Sequence, residues 1–301
     1  MSVRRVDVGP AGGFDHHRFE AGTPGPRMVV LGGVHGDETE GAAAALRLAH
    51  EPPVLSRGVL DIVPVCHEAA FDADSRTSPV DGLNLARVFP GDPNGTATSR
   101  LAHHLNIEVL QGADFLIDLH TSGTHYDMPS LAGYGGQRSG TGSVTERAAI
   151  AFGAQFVWRH PGRSQGRTVS MVEHGMYVES PGFGPTNLEG IAAYVDGVLR
   201  ILESLSMLAG PAPSRSGDAI RVTGGGDLDR DMLQVVHRGL FVPTVASGDR
   251  VAAGRPLGAV QAFTGATLEK LVAPSDGYVM ALKRRSPVHP GDLVVNLAQP
   301  D

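Results

Sequence analysis

Between Arg27 and about Leu208, short apolar runs alternate with segments in which apolar residues recur every three or four positions. The short runs predict β-strands and the recurring pattern predicts amphipathic helices. The predicted strands are Met28–Leu31, Val59–Val65, Asp114–Leu119, Gln155–Arg159 and Met176–Glu179. The predicted helices are Glu40–Ala49, Ser99–Gln111, Val144–Phe152, Thr168–His174 and Leu188–Leu208. Strands that alternate with helices indicate an α/β fold with a largely parallel sheet covered on both faces.

The pattern changes after the last predicted helix. Residues 209–218 are rich in proline, glycine and serine, a composition typical of a linker. Beyond them, short apolar pieces are separated by turn sequences such as Ser247-Gly248-Asp249, and no helical spacing is evident. We therefore predict an α/β domain at 1–208, a linker at about 209–218 and a small all-β domain at 219–301.

Two of the predicted strands end in residues that can bind a metal. The run Val29–Leu31 leads through two glycines to His35 and Glu38, and the strand that ends at Leu119 is followed by His120. Open α/β sheets place their active sites at the carboxyl ends of the strands. Two histidines and one carboxylate, with a fourth position left to water, form a common catalytic zinc set.

A loop rich in turn-forming residues lies between these two strands. It spans residues 76–91 and carries Arg76, Asn84 and Arg87. Guanidinium groups fixed above a sheet edge are suited to a substrate carboxylate or to an oxyanion that develops during a reaction. Without further information, these arginines could equally be loop residues paired with surface acids.

The ordered set of motifs resembles the succinylglutamate desuccinylase/aspartoacylase family of the zinc carboxypeptidase superfamily. The motifs are Gly33-Val34-His35-Gly36-Asp37-Glu38, Asn84-Leu85-Ala86-Arg87-Val88-Phe89-Pro90-Gly91 and Asp118-Leu119-His120, and the resemblance covers roughly the first 205 residues. It implies a mixed sheet flanked by helices, followed by a small barrel-sandwich-like β domain.

The resemblance also implies roles for individual residues. His35, Glu38 and His120 match the ligands of one zinc ion per chain. Glu179 matches the general base, with the nearby Glu173 as a less suitable rival, and Arg76 matches the arginine that polarises the scissile carbonyl. The substrate carboxylate would be held by Asn84 and Arg87.

The chain departs from the family pattern at two places near the expected pocket. Ala86 stands where the family usually has a second asparagine, and it cannot donate a side-chain hydrogen bond. The segment Cys66–Phe71 replaces a stretch in which relatives tend to carry asparagine and proline. Both changes point to altered substrate specificity.

The C-terminal residues are similar to a biotinyl/lipoyl-type β sandwich. A true carrier domain has a lysine on the exposed hairpin between its two halves, and residues 262–270 lack one at the corresponding place. We therefore interpret this domain as structural. In the family, such a domain packs against the catalytic one and can narrow access to the pocket.

Composition excludes several other classes of function. The net charge of −7 and the lack of a long basic cluster argue against a nucleic-acid partner. No segment is apolar enough to span a membrane, and the N-terminus does not resemble a classical secretory signal. With Cys66 as the single cysteine, no intramolecular disulfide can form, which fits a reducing cytoplasm.

The leading hypothesis is a zinc-dependent amidohydrolase of amino-acid metabolism that removes the acyl group from an N-acyl amino acid or a similar small acidic amide. One alternative is a zinc carboxypeptidase or peptide amidase on the same metal site. The other is a binding protein that kept the metal site but lost catalysis, for which Ala86 is the only argument. The acyl group, the amino acid and any homo-oligomeric state stay open at this stage.

Overall fold

A computed structural model of the chain describes residues 1–135, 141–162, 165–182, 186–215, 217–226, 228–284 and 287–301. The helices are α1 (Thr39–His50), α2 (Glu68–Asp72), α3 (Ala97–Leu105), α4 (Val144–Phe152) and α5 (Leu188–Ser204). The first strands are β1 (Ser2–Asp7), β2 (Gly13–Glu20), β3 (Arg27–Leu31), β4 (Val59–Val63), β5 (Phe115–Leu119), β6 (Tyr126–Asp127), β7 (Leu131–Gly135), β8 (Phe156–His160), β9 (His174–Glu179) and β10 (Ile220–Thr223). The remaining strands are β11 (Met232–Gln234), β12 (Gly239–Pro243), β13 (Arg250–Val251), β14 (Pro256–Gln261), β15 (Thr267–Val272), β16 (Gly277–Lys283), β17 (Pro287–Val288) and β18 (Leu293–Pro300).

The large sheet is mixed and has the order β1-β2-β4-β3-β5-β9-β7-β8-β10-β18 along its main path. Strands β4, β3, β5 and β9 are mutually parallel, whereas β7 is antiparallel to β9. The sheet is therefore only partly parallel, as the family resemblance implied, and less uniform than the alternation of elements alone suggested.

Side chains of the central strands alternate between two buried faces. On β3, Met28 and Val30 contribute to the core beneath α1, α4 and α5, whereas Val29 and Leu31 contribute to the core on the side of α3. Because successive residues of a strand point to opposite faces, an unbroken apolar strand requires cover on both sides. Helices on both faces provide that cover.

Most of the predicted elements are confirmed, with shifted ends. The predicted helix Thr168–His174 is wrong, because only Thr168–Ser170 form a short 3₁₀ turn and β9 begins at His174. The helix predicted to reach Gln111 passes at Asn106 into a π-helical turn, and the one predicted to reach Leu208 ends at Ser204. The β1–β2 hairpin and β7 were not predicted.

The C-terminal strands form two antiparallel layers around a shared core. One layer has the order β15-β14-β12-β17, and the other contains β18, β16, β13 and β11. Phe241 and Val260 of the first layer pack with Val279 and Val295 of the second. Among the described residues, none of the helices is both long and apolar enough to cross a bilayer.

The second layer continues the large sheet. Strand β10 pairs in parallel with β8 and in antiparallel fashion with β18. A further core lies where the two parts of the chain meet, and there Phe156 and Trp158 of β8 pack with Val222, Met280 and Ala298. The all-β part is thus fixed to the β8 edge of the α/β part.

Candidate active site

The loop between β3 and α1 carries the first two candidate ligands. It makes a close approach to helix α2, because a side chain at Gly36 would overlap the backbone of Ala70. A glycine is required at such an approach. The loop directs His35 and Glu38 into the interior, where both are buried.

His120 joins them from the neighbouring strand β5. The Nδ1 atom of His35 lies 2.8 Å from Oε1 of Glu38, and the Nδ1 atom of His120 lies 2.8 Å from Oε2 of the same carboxylate. One ligand atom from each of the three residues lies within 4.8 Å of the others. Two ligands of a tetrahedral zinc ion are about 3.4 Å apart, so the cluster has the size that a metal ion needs.

The other ring nitrogen of each histidine faces an oxygen acceptor. His35 Nε2 lies 3.0 Å from Oδ1 of Asn84, and His120 Nε2 lies 3.0 Å from Oδ2 of Asp118. Metal-binding histidines are oriented in this way, because the acceptor fixes the tautomer and leaves the second nitrogen for the ion. The donor set therefore fits a divalent metal.

The electrostatics of the cluster also favour a cation. Burial alone would raise the pKa of Glu38, but His35 and His120 hold it well below its usual range. Burial would lower the pKa of His120, but Asp118 and Glu38 raise it well above its ordinary value. Burial and Arg76 lower the pKa of His35. Glu38 is therefore ionised, and its carboxylate would attract a divalent ion.

Glu179 ends β9 beside the cluster. The backbone of His120 donates a 2.9 Å hydrogen bond to the carbonyl of Val178, so the two strand ends lie side by side. Oε2 of Glu179 is buried and has no hydrogen-bond partner among the described residues. Burial and the nearby Glu38 raise the pKa of Glu179 well above its ordinary value, against the opposing effect of His120 and Arg76. A carboxylate in this state is suited to accept a proton.

Arg76 reaches the same point from the loop after α2. Its Nη1 lies 2.7 Å from Oε1 of Glu38 and 3.2 Å from Nδ1 of His35. Burial would lower the pKa of Arg76, but Glu38 and Glu179 raise it, so the side chain remains cationic. The structure thus places a fixed positive charge beside the cluster, from an arginine that the sequence analysis had named.

A cavity of about 370 Å³ opens above these residues. Its floor includes His35, His120, Arg76 and Glu179, and Ala86 and Arg87 lie in its wall. Trp158 also lines it and donates a 2.6 Å hydrogen bond from Nε1 to the carbonyl of Gly224. The C-terminal part contributes further wall residues: Gly225, Gly226, Leu228, Arg230 and Asp231.

The two residues predicted to hold a carboxylate are placed differently. Arg87 lines the cavity. The side-chain oxygen of Asn84 accepts a 2.9 Å hydrogen bond from the backbone of Ala86 and faces His35, so it caps the short turn Leu85–Arg87. Only the amide nitrogen of Asn84 is left to meet a substrate.

Residues 24–205, more than half of the chain, match the family model of the succinylglutamate desuccinylase/aspartoacylase catalytic domain. The chain belongs to this family. The resemblance inferred from the sequence motifs is thereby confirmed.

Individual members of the family resemble the chain over most of its length. It is 28% identical over 296 residues to the N-alpha-acetyl-L-2,4-diaminobutyric acid deacetylase of Halomonas elongata, which covers 91% of this chain and 82% of that protein. A succinylglutamate desuccinylase/aspartoacylase structure from Rhodobacter sphaeroides has a TM-score of 0.84 at 27% identity and covers 99% of this chain and 94% of that one. The product-bound ectoine utilization protein EutE (DoeB) of Ruegeria pomeroyi shares the fold, with a TM-score of 0.82 at 24% identity, and covers 99% of this chain and 93% of that one.

Sequence reasoning missed two residues of the cavity wall, Arg167 and Thr168, and a third, Asp229, that pairs with the wall residue Arg87. Arg167 and Thr168 line the cavity, and the buried hydroxyl of Thr168 has no partner among the described residues. The helix predicted over Thr168–His174 concealed Thr168. Asp229 pairs with Arg87 at 2.9 Å, and no local signal marks it because its position depends on the distant pairing of β10 with β8.

Proposed function

We propose that this protein is a zinc-dependent deacylase that hydrolyses the amide bond of an N-acyl amino acid. The observation that carries the proposal is a buried carboxylate oxygen of Glu179, without a hydrogen-bond partner in the described part of the chain, beside the His35–Glu38–His120 cluster. A protein that only bound a ligand would have no use for a base at this place.

His35, Glu38 and His120 would hold the zinc ion, since imidazole and carboxylate ligands suit this metal. When bound there, zinc lowers the pKa of water and polarises a carbonyl group. Other divalent ions can occupy the same ligand types, so metal analysis has to establish the identity.

Glu179 acts as general base and then as general acid. Its carboxylate takes a proton from the attacking water as the water oxygen bonds to the acyl carbon. Arg76 stabilises the negative charge that develops on the carbonyl oxygen. Glu179 then returns the proton to the amide nitrogen as the carbon–nitrogen bond breaks, so a carboxylic acid and an amine leave.

Arg87 is the proposed anchor for the carboxylate of the substrate, since a guanidinium group can bind it through two parallel hydrogen bonds. The amide nitrogen of Asn84 is a second proposed donor. Ala86 supplies no polar group, and the hydroxyl of Thr168 offers a hydrogen bond elsewhere in the cavity wall. These contacts favour a small anionic amide.

The identity of the acyl group rests on the relatives. The Halomonas elongata protein is described as a deacetylase of N-alpha-acetyl-L-2,4-diaminobutyric acid, and the match covers nearly all of the present chain. We therefore propose an acetylated amino acid, with a diamino acid first among the candidates. Residues 1–208 would form the catalytic domain and 219–301 an all-β domain that restricts the cavity to small substrates.

The test combines metal analysis with a substrate screen on one metal-replete preparation. We expect about one zinc per chain and turnover of at least one N-acetyl or N-succinyl amino acid, with activity lost on chelation and restored by zinc. Short peptides with blocked N-termini serve as the comparison, and their faster hydrolysis would favour a peptidase. Bound metal without any turnover would favour a binding protein, and absence of metal would reject the proposal.

A further inference from the structure

Two arginines of the cavity converge on one carboxylate oxygen. Oδ2 of Asp229 lies 2.9 Å from Nε of Arg87 and 3.7 Å from Nη2 of Arg167. The arginines come from two separate turns of the α/β part, whereas Asp229 comes from the segment after β10. The point between the two guanidinium groups is therefore already an anion-binding position.

The aspartate and the two arginines differ in their exposure to solvent. The side chain of Asp229 is 60% exposed, whereas those of Arg87 and Arg167 are 26% and 19% exposed. The arginines thus belong to the cavity wall and Asp229 lies at its solvent side. More than half of the aspartate side chain contacts water.

The geometry of the ion pair makes it a weak one. Asp229 meets Arg87 through Nε at one oxygen and lies beyond hydrogen-bond distance of Arg167. Exposed ion pairs of this kind contribute little to stability, because water screens them. A substrate carboxylate inside the cavity can bind guanidinium groups through two parallel hydrogen bonds, whereas Asp229 meets Arg87 through one oxygen.

We propose that Asp229 is a specificity-determining residue that competes with the carboxylate of the substrate for Arg87. This inference rests on the proposed function only because it takes Arg87 as the anchor of the substrate carboxylate. A ligand with a carboxylate displaces Asp229, whereas a neutral amide leaves the ion pair closed. Asp229 thereby weakens the binding of every anionic substrate by a modest and constant factor.

The variant Asp229→Asn tests this competition. The probes are N-alpha-acetyl-L-2,4-diaminobutyrate and its carboxamide, which lacks the carboxylate; KM and kcat are measured with Glu179 present, and Kd by calorimetry in the Glu179→Gln background, where turnover is slow. We expect KM and Kd of the acid to fall about two- to fivefold, the equivalent of one exposed ion pair, with kcat within twofold of the native value. The constants of the carboxamide stay unchanged.

Asp231→Asn is the matched control, because it removes the same charge from the same segment and also lines the cavity. A clearly smaller effect in this variant supports displacement from Arg87. Equal effects in both variants would mean that only the net charge near the cavity matters, and this would reject the proposal. A rise in KM and Kd of the acid in Asp229→Asn would also reject it, since Asp229 would then support Arg87 or bind the substrate itself.

The binding measurement separates this proposal from the proposed function. If the native protein hydrolyses none of the acylated amino acids, the deacylase proposal fails. The Kd values of the acid and the carboxamide still decide whether Asp229 competes, because they require only the arginine site.

Discussion

At the scale of single residues, Glu179 combines two properties that a proton carrier needs. It lies beside a cluster of metal-binding side chains, and one of its oxygens is buried without a partner among the described residues. Burial of an uncompensated carboxylate costs free energy, and folded proteins retain such groups mainly at functional sites.

The first prediction concerns this carboxylate. Glu179→Gln keeps the shape of the side chain but cannot accept a proton, so we expect kcat to fall by at least about 100-fold while the metal content is unchanged. Glu173→Gln, at an exposed position on the approach to β9, is the control and should retain activity within twofold. Metal analysis and steady-state kinetics of both variants test this prediction. An active Glu179→Gln enzyme would refute the role of Glu179 as general base.

The pH dependence of the native enzyme follows from the same residue. Because the pKa of Glu179 is raised, the group becomes protonated, and thus useless as a base, at a higher pH than an ordinary glutamate. The acidic limb of the kcat/KM profile should therefore lie above the usual glutamate range. A profile that stays flat down to pH 4.5 would contradict this expectation.

The third prediction concerns stability in acid. His67 is 0% exposed, neither of its ring nitrogens has a partner among the described residues, and burial lowers its pKa to about 4. The unfolded chain takes up a proton below about pH 6.5, whereas the folded protein does not until about pH 4, so stability falls as the pH drops through this window. At pH 5 the loss from this group is about 2 kcal/mol.

His67→Leu has no such proton to bind and serves as the comparison. Urea unfolding at pH 7 and pH 5 should show a smaller loss of stability in the variant than in the native protein, by about 2 kcal/mol. Equal losses in the two proteins would mean that His67 is protonated within the fold. The other histidines are common to both proteins, so their effect cancels in the comparison.

At the scale of elements, helix α1 approaches the end of β5 unusually closely. A side chain at Gly41 would overlap the carbonyl group of Leu119, whereas one at Gly190 in α5 would meet its nearest atoms at an ordinary 3.7 Å. Alanine normally stabilises a helix by about 1 kcal/mol relative to glycine. The close packing of α1 therefore depends on a residue that weakens the helix itself.

The fourth prediction compares alanine at these two glycines. Gly190→Ala should be neutral or stabilising by up to about 1 kcal/mol, whereas Gly41→Ala should destabilise by about 1–3 kcal/mol because the backbone must move. Because Gly41 lies three residues after Glu38, zinc affinity should fall as well. Thermal unfolding and metal titration of both variants test this, and a stabilised Gly41→Ala protein would show that the helix can shift freely.

The candidate site residues at the ends of buried strands were predictable, because the sequence immediately around each of them is enough to identify it. His35, Glu38, His120 and Glu179 each follow an apolar run, and parallel strands bring their carboxyl ends together. The turn at Thr168 was not predictable, because its spacing also fits a helix and tertiary contacts decide between the two. Asp229 was inaccessible to sequence reasoning for another reason: its neighbours are brought to it by strands far apart in the chain.

At the scale of the whole molecule, the two parts of the chain share one sheet and one core. Strand β10 joins β8 to β18, and Phe156, Trp158 and Met280 pack across the junction. Because neither part buries these residues alone, we expect one unfolding transition in calorimetry, with equal calorimetric and van 't Hoff enthalpies. Two separate transitions would show that 219–301 fold independently of the rest.

Trp158 makes the cavity observable by fluorescence. It is the single tryptophan of the sequence, it is fully buried, and it lines the cavity with its ring nitrogen bonded to Gly224. All indole fluorescence of the protein therefore originates from the wall of the site, in an apolar setting that shifts the emission to short wavelengths. The molecule carries its own optical probe, and ligand entry can be followed in real time without a label.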